Sequence, residues 1–218
     1  MIRYAIVGHV SRAVQCAALQ RSLNATLFLD DGTLGEWANH ARALTWGAEA
    51  HDDALWADSW LVVLQDDAQP VPDFKKHVSR ALTNVPRDAA LVSFYTGTSR
   101  PLRSVKPFDE AIMEAELTGA GFLTASRLCW GVAVAIRSSH LRALLDFGAK
   151  HSQPYDERLS AFIEGDPWLG SIYYTWPSLV DHEDGSSLVR HAYDDDSKPR
   201  KARKVGLPRS WNVTQVNI

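Results

Sequence analysis

Long apolar runs are absent from this sequence, and so is any marked excess of one charge. No stretch approaches the roughly 18 consecutive apolar residues of a membrane-spanning helix, and no basic segment leading into a short apolar core opens the chain. With a net charge of −3 over 218 residues, the whole molecule carries no electrostatic bias toward nucleic acid or a membrane surface. Cysteine is scarce too. The two present, Cys16 and Cys129, match no metal-binding spacing and sit among apolar neighbours, which predicts buried free thiols in a reducing compartment. A cytoplasmic protein with no membrane partner is the expectation. Several chemistry-bearing signatures are missing as well: there is no P-loop, no CxxC pair and no GxS-type nucleophile turn. Gly8-His9-Val10-Ser11 departs from GxGxxG, which argues against a nicotinamide dehydrogenase.

What is present is an ordinary globular composition, 45% hydrophobic and 22% charged, in a chain long enough to bury a proper core as one domain. Tryptophan is plentiful, and several copies lie beside polar or turn-forming residues (Trp130-Gly131, Asp166-Pro167-Trp168, Thr175-Trp176-Pro177). Such rings suit a cleft that stacks on a ligand as well as they suit a core.

Read in order, Ile2–Val7 is a strand, Ser11 caps a helix over Arg12–Leu23, and Ala25–Leu29 is a second strand closing in Asp30-Asp31-Gly32. Strand, helix and strand in so short a span make a βαβ unit with parallel pairing and a right-handed crossover. A helix over Gly35–Leu44, a strand over Trp60–Leu64, a helix near Ser79–Leu82 and a strand over Ala89–Tyr95 follow. Ser99–Thr118 has no clear period and reads as a loop with a short helix near Ala111–Glu116. Beyond it come a strand over Cys129–Ile136, a helix over His140–Phe147 capped by Ser138 or Ser139, a helix over Asp156–Ile163 and a strand over Ser171–Tyr174. The fold class is α/β, a mixed, mostly parallel central sheet flanked by helices. Lys198–Arg209 holds six Lys or Arg and no acid and reads as a mobile basic tail.

The chain is organised around Trp60–Phe74, WLVVLQDDAQPVPDF. Leu61–Leu64 is a short apolar run of the kind buried on both faces of a parallel sheet, and it runs straight into Asp66-Asp67. Carboxylates at the carboxyl end of such a strand stand where open α/β sheets bind ligands, and hard cations such as Mg²⁺ or Mn²⁺ prefer their oxygen; the alternative is a solvated Asp-Asp pair at a turn. His182 ends a second strand-like run, PSLVDH, and an imidazole joins carboxylate on Mn²⁺. Asp30, closing the second strand, either accepts hydrogen bonds from a base or ribose or caps the turn before Gly32. Arg12 opens the first helix at the same edge, where a guanidinium meets a diphosphate bidentately or simply faces solvent; Arg42 is a weaker candidate of the same kind. Asp156-Glu157 places two carboxylates in the first turn of a helix, as caps or as a general base, with Asp166 as a third choice. Trp130-Gly131 offers a ring for a sugar face with backbone close beside it.

Taken together, Asp30-Asp31-Gly32, WLVVLQDDAQPVPDF, Tyr95–Pro101, Trp130–Val134 and Tyr174–Ser187 resemble the small GT-A-fold glycosyltransferases common in actinobacteria and their phages. LQDDAQP is also similar to the LEDD segment of family-25 glycosyltransferases, and the general pattern to family-2 enzymes. The resemblance spans about residues 2–191. It implies a GT-A-like (Rossmann-like) catalytic domain over residues 1–193 with residues 194–218 as the tail. It also implies a nucleotide-sugar donor, Mn²⁺ or Mg²⁺ beneath its diphosphate, and inverting transfer to an acceptor hydroxyl, in the cytoplasm of a host cell if a phage encodes the chain. On that basis Asp67, with Asp66, takes the place of the D-x-D motif and His182 that of the second metal ligand. Arg12, Asp30 and Arg42 face the nucleotide, Trp130 and Gly131 line the sugar, and Asp156 or Glu157 is the base. The chain has two adjacent aspartates where the fold generally has D-x-D, so the choice between Asp66 and Asp67 stays open. A DNA acceptor held through Lys198–Arg209 is one expectation for the partner. The competing readings are a nucleotidyltransferase, and a non-catalytic nucleic-acid binder whose tail makes salt-dependent phosphate contacts.

Overall fold

A computed structural model of the chain describes residues 1–49, 59–87, 89–98, 102–183 and 200–215. The element order is β1 (Ile2–His9), α1 (Ala13–Leu23), β2 (Thr26–Asp30), α2 (Glu36–Glu49), β3 (Trp60–Gln65), β4 (Ala68–Pro70), α3 (Phe74–Asn84), β5 (Leu91–Ser93) and α4 (Leu102–Thr118). It continues with β6 (Phe122–Ala125), β7 (Ala133–Arg137), α5 (Leu141–Gly148), α6 (Tyr155–Glu164), β8 (Ile172–Thr175), β9 (Val180–His182) and β10 (Val213–Gln215). Short 3₁₀ turns at Val10–Arg12 and Ser138–His140 lead into α1 and α5.

Eight strands form one sheet in the order β10-β6-β8-β5-β7-β3-β1-β2, and β4 pairs with β9 in a separate ribbon. β1, β2, β3, β5 and β8 point one way; β6, β7 and β10 point the other. The expected α/β class with a mixed, mostly parallel sheet is the class the chain adopts. Its apolar strand runs explain the layering. In β3, Leu61 and Val63 join one core cluster with Ala43 and Leu44 of α2 and Leu159 of α6. Trp60, Val62 and Leu64 join the other, with Phe74, Val78 and Ala81 of α3. Both faces of β3 are covered, so every side chain from Trp60 to Leu64 contributes, at about 1.5–3 kcal/mol for each large apolar group.

The chain steps from β1 to β2 through α1, then returns through α2 to β3 on the far side of β1. The strand order reverses at β1, so the carboxyl ends of β1, β2 and β3 meet at the edge where such sheets usually bind ligands. Asn39 of α2 fixes that edge: its buried Nδ2 donates to Gly8 O (3.2 Å) and Phe28 O (3.1 Å), tying the ends of β1 and β2 together.

Four local expectations are corrected. Ser11 is not a side-chain cap of α1; the His9 side chain accepts from Ser11 N and starts the 3₁₀ turn instead. Neither Ser138 nor Ser139 caps α5, which starts after His140 without a side-chain cap, and the Ser138 hydroxyl is buried against Ser59. The region expected as a loop with a short helix is the long α4, which contains Pro107. Phe108, Ala111 and Ala115 recur at i, i+3 and i+7 and bury in the main core, which offsets the roughly 3 kcal/mol that a helix-interior proline costs. Finally, residues 200–215 are no mobile tail. Ala202 N donates to Asp181 Oδ1 (2.8 Å), Lys201 Nζ to His182 O (2.9 Å) and Arg203 Nε to Gly97 O (2.9 Å). Lys204 pairs with Glu116, Arg203 with Asp109, and β10 adds an edge strand beside β6. The expected boundary at residue 194, Lys198, and the Ser99–Pro101 and Asp184–Ser187 parts of the resembling motifs lie outside the described residues.

Candidate active site

β3 ends at Gln65, and Asp66-Asp67 form the corner at which the chain leaves the main sheet and enters β4. β4 pairs antiparallel with β9, Ala68 opposite His182, and Glu183 N–H donates to Asp67 O at 2.8 Å. The ribbon therefore sets His182 beside Asp67, with Nε2 3.3 Å from Asp67 Oδ2. Arg12, at the turn into α1, reaches over the same corner. Its Nη1 donates to Asp66 Oδ1 (2.7 Å) and Asp67 Oδ2 (2.9 Å). The second Asp66 oxygen accepts from His9 N (2.8 Å).

The electrostatics follow from these bonds. Burial alone would push the Asp67 carboxyl up; the hydrogen bonds and charge of His182 and Arg12 outweigh it and hold it below the ordinary carboxylate value. Beneath the corner, burial and the nearby Asp66 charge push the Cys16 thiol up to about 11, so it packs as a small neutral group. Two buried polar atoms in the corner have no hydrogen-bond partner, Asp67 Oδ1 and His182 Nδ1. Orphaned buried polar atoms are rare in folded proteins and call for a cause, and His40 Nε2, Thr96 Oγ1, Tyr155 OH and Thr175 Oγ1 share the condition elsewhere in the fold.

The close packing of this corner depends on Gly8. A Cβ there would stand 2.4 Å from Cys16 Sγ and 2.9 Å from Asp66 Cβ, so something would have to shift. Gly8→Ala should therefore destabilise the fold by about 1–3 kcal/mol in chemical denaturation. A variant that unfolds at the wild-type denaturant midpoint would refute this packing.

The other candidates divide. Asp30 turns both oxygens to the backbone of its own loop, accepting from Leu34 N (3.1 Å) and Gly35 N (3.2 Å). Gly35 takes a φ of +80° there, a left-handed backbone that favours glycine, as the loop enters α2. Arg42 is an exposed staple from α2 to Leu29 O (2.9 Å) and Asn39 Oδ1 (3.1 Å). Trp130 packs edge-on to Phe108 and Tyr95, with ring centroids 5.0 and 6.1 Å away. Tyr95 in turn lies 6.2 Å from the His182 ring, which makes it a wall between Trp130 and the acidic corner. Gly131 brings the start of β7 against α6: a Cβ on it would lie 3.5 Å from Asp156 Cβ. Because Val132 O accepts from Gln65 N (2.9 Å), Gly131 and hence Asp156 stand beside the end of β3. Asp156 is half-buried at this junction, and its neighbour Glu157 is exposed. Asp166 is exposed and lies past the far end of the ten-residue α6, about 15 Å along the helix, where it accepts from Trp168 N.

Sequence reasoning gave no site role to His9, whose backbone amide holds Asp66, to Asn39 or to Tyr95, and read Lys201 only as part of the basic tail. Of the first three only Tyr95 carried a local signal, as an aromatic residue at the end of an apolar strand run.

The residues fit a Mg²⁺- or Mn²⁺-type ion with substrate as co-ligand. A 3.3 Å separation of Nε2 and Oδ2 approximates that of two adjacent ligands on an octahedral ion with bonds of about 2.1 Å. Among the described residues no three His, Cys, Asp or Glu converge on one point, so the protein would supply Asp67 and His182 and leave the remaining positions to phosphate oxygen and water.

Fold and site together define an α/β protein with an acidic, arginine-bridged corner at the carboxyl ends of its first three strands. No family model matches the chain, and no curated protein sequence matches it. Among solved structures, it is similar to A197 from STIV, with a TM-score of 0.46, 12% identity, and coverage of 95% of this chain and 97% of that one. It is similar also to a glycosyltransferase involved in glycosylation of the major capsid of PBCV-1, with a TM-score of 0.46, 11% identity, and coverage of 85% of this chain and 94% of that one. Both are loose likenesses of chain path, remote in sequence. No helix among the described residues is long and apolar enough to cross a membrane.

Proposed function

We propose that the chain is a metal-dependent, inverting glycosyltransferase that moves a sugar from a nucleotide-sugar donor to an acceptor hydroxyl. The observation that carries this reading is the acidic corner: Asp67 and His182, each with a buried unpartnered atom, beside Arg12 at the switch point of the sheet. A divalent ion bound there supplies neutralisation of the charge that develops on the leaving diphosphate. The residues of the chain do the rest. Asp67 and His182 would hold the ion, and Arg12 would offer a guanidinium to phosphate oxygens. Trp130, half-buried and backed by the buried Tyr95, offers aromatic surface on the sugar side. Asp156, at the Gly131 junction, takes the proton of the attacking hydroxyl, and a single base opposite the leaving group gives inversion. Because Lys201, Arg203 and Lys204 are bonded within the domain, we assign the acceptor by its hydroxyl alone and place no DNA on the basic segment.

The test is thermal stabilisation by UDP-, GDP-, ADP-, CMP- and TDP-sugars with and without Mn²⁺. At one hundred times its Kd a ligand adds about 2.7 kcal/mol, which for a chain of this size raises Tm by about 5–10 °C. One nucleotide sugar should do so, and only with the ion. Silence across the whole panel would sink the proposal.

A further inference from the structure

A positive charge set against the two carboxylates of Asp66 and Asp67 comes from the protein itself. A single nitrogen, Arg12 Nη1, touches both carboxylates, at 2.7 and 2.9 Å, and the Arg12 side chain is only 17% exposed. The remaining Asp66 oxygen is taken by the His9 amide. Asp67 Oδ1 and His182 Nδ1 stay without partners although both are buried. The corner is thus only partly neutralised and not saturated. An added divalent ion meets a guanidinium already resting on the oxygen that faces His182, and like charges at that range repel. A diphosphate has the opposite effect. It offers the planar guanidinium a bidentate partner of higher charge than either aspartate.

We propose that Arg12 is the resting counter-ion of the Asp66–Asp67 corner and moves to the diphosphate when donor arrives, so that divalent ion and diphosphate bind as a coupled pair and the ion alone binds weakly. The proposal rests on Asp67 and His182 being the ion's ligands. Coupling of this kind is reciprocal: whatever factor the diphosphate adds to the affinity of the ion, the ion adds to that of the diphosphate. It would keep the empty corner from holding an ion without its substrate.

Two binding measurements on the full chain separate this role from a merely structural one, because they move in opposite directions. The probes are Mn²⁺ alone, followed by the paramagnetic signal of the free ion, and inorganic pyrophosphate alone in EDTA, followed by calorimetry. Arg12→Met should bind Mn²⁺ at least tenfold more tightly than wild type and pyrophosphate at least tenfold more weakly. Arg12→Lys keeps a charge in place for folding but loses the fork, and should shift both affinities the same ways by smaller factors; it carries the test if Arg12→Met does not fold. Measurable Mn²⁺ affinity that is equal or weaker in both variants overturns the counter-ion role and leaves the ligand assignment standing. Failure of wild type and variants alike to bind Mn²⁺ at millimolar concentration overturns the ligand assignment and this proposal with it.

Discussion

Asp67→Asn should abolish metal-dependent stabilisation by the nucleotide sugar and lower the transfer rate by on the order of 10²–10³, the usual loss when one preorganised electrostatic contact to the developing charge is removed. The substitution keeps the volume of the side chain and takes away the charge that faces both Arg12 Nη1 and His182 Nε2. Arg12 retains Asp66, so the fold should survive, at a cost of about 1.5–3 kcal/mol for a hydrogen bond to a charged group. That cost has a definite pH dependence. The folded-state carboxyl of Asp67 is held below its ordinary value of 3.8, so its contribution is complete above that value and fades as pH falls through the lowered one. Denaturation of wild type and variant should accordingly differ at neutral pH and converge in acid. A variant that still shows the metal-dependent shift would remove Asp67 from the ligand set, and a stability difference that widens in acid would contradict its electrostatic environment.

What could be read from the sequence, and what could not, divides along one physical line. β1 and β3 were legible because strands covered on both faces leave continuous apolar runs, β2 because Leu27–Leu29 keep a short one at the sheet edge, and the acids at the ends of β2 and β3 stand out by contrast. The fixed hand of the βαβ crossover then places those ends on one edge. The contacts that finish the site are tertiary. Nothing near Arg12 in sequence announces that its guanidinium spans two carboxylates from β3, and the pairing of Asp67 with His182 depends on the β4–β9 ribbon closing across most of the chain. Asp30 shows the converse: a carboxylate with two competing local readings spends both oxygens on its own loop. Composition misled at Lys198–Arg209 for the same reason. A run of bases without acid reads as solvated and mobile, but the partners of Lys201, Arg203 and Lys204 are Asp181, Asp109, Glu116 and carbonyl groups far away in the chain. α4 was hidden by its own Pro107, although the apolar spacing beneath it was helical. Local chemistry marks the ends of strands; the meeting of ends is a property of the fold.

The same distinction makes the choice between Asp156 and Glu157 testable. In sequence the two are neighbours of one chemical type, and either suits the first turn of a helix. The fold separates them: Asp156 lies against Gly131, at the start of β7 and one hydrogen bond from the end of β3, whereas Glu157 is exposed on α6. Asp156 Oδ1 also accepts from Glu157 N at 2.9 Å, which orients its carboxyl group on the helix end. A general base must lie within hydrogen-bond reach of the proton it takes and contributes on the order of 10²–10⁴ in rate. Asp156→Asn should lose that factor in kcat with little change in donor-induced stabilisation, because the proposed donor contacts are those of Asp67, His182 and Arg12. Its pH–rate profile should lose the limb that rises as the base deprotonates. Glu157→Gln should keep kcat and the profile within a few-fold. If the two variants exchange behaviours, the base sits on the outer face of α6 and the acceptor approaches from solvent; if both lose donor stabilisation, the first turn of α6 serves binding, and the proton acceptor has to be sought elsewhere at that edge of the sheet.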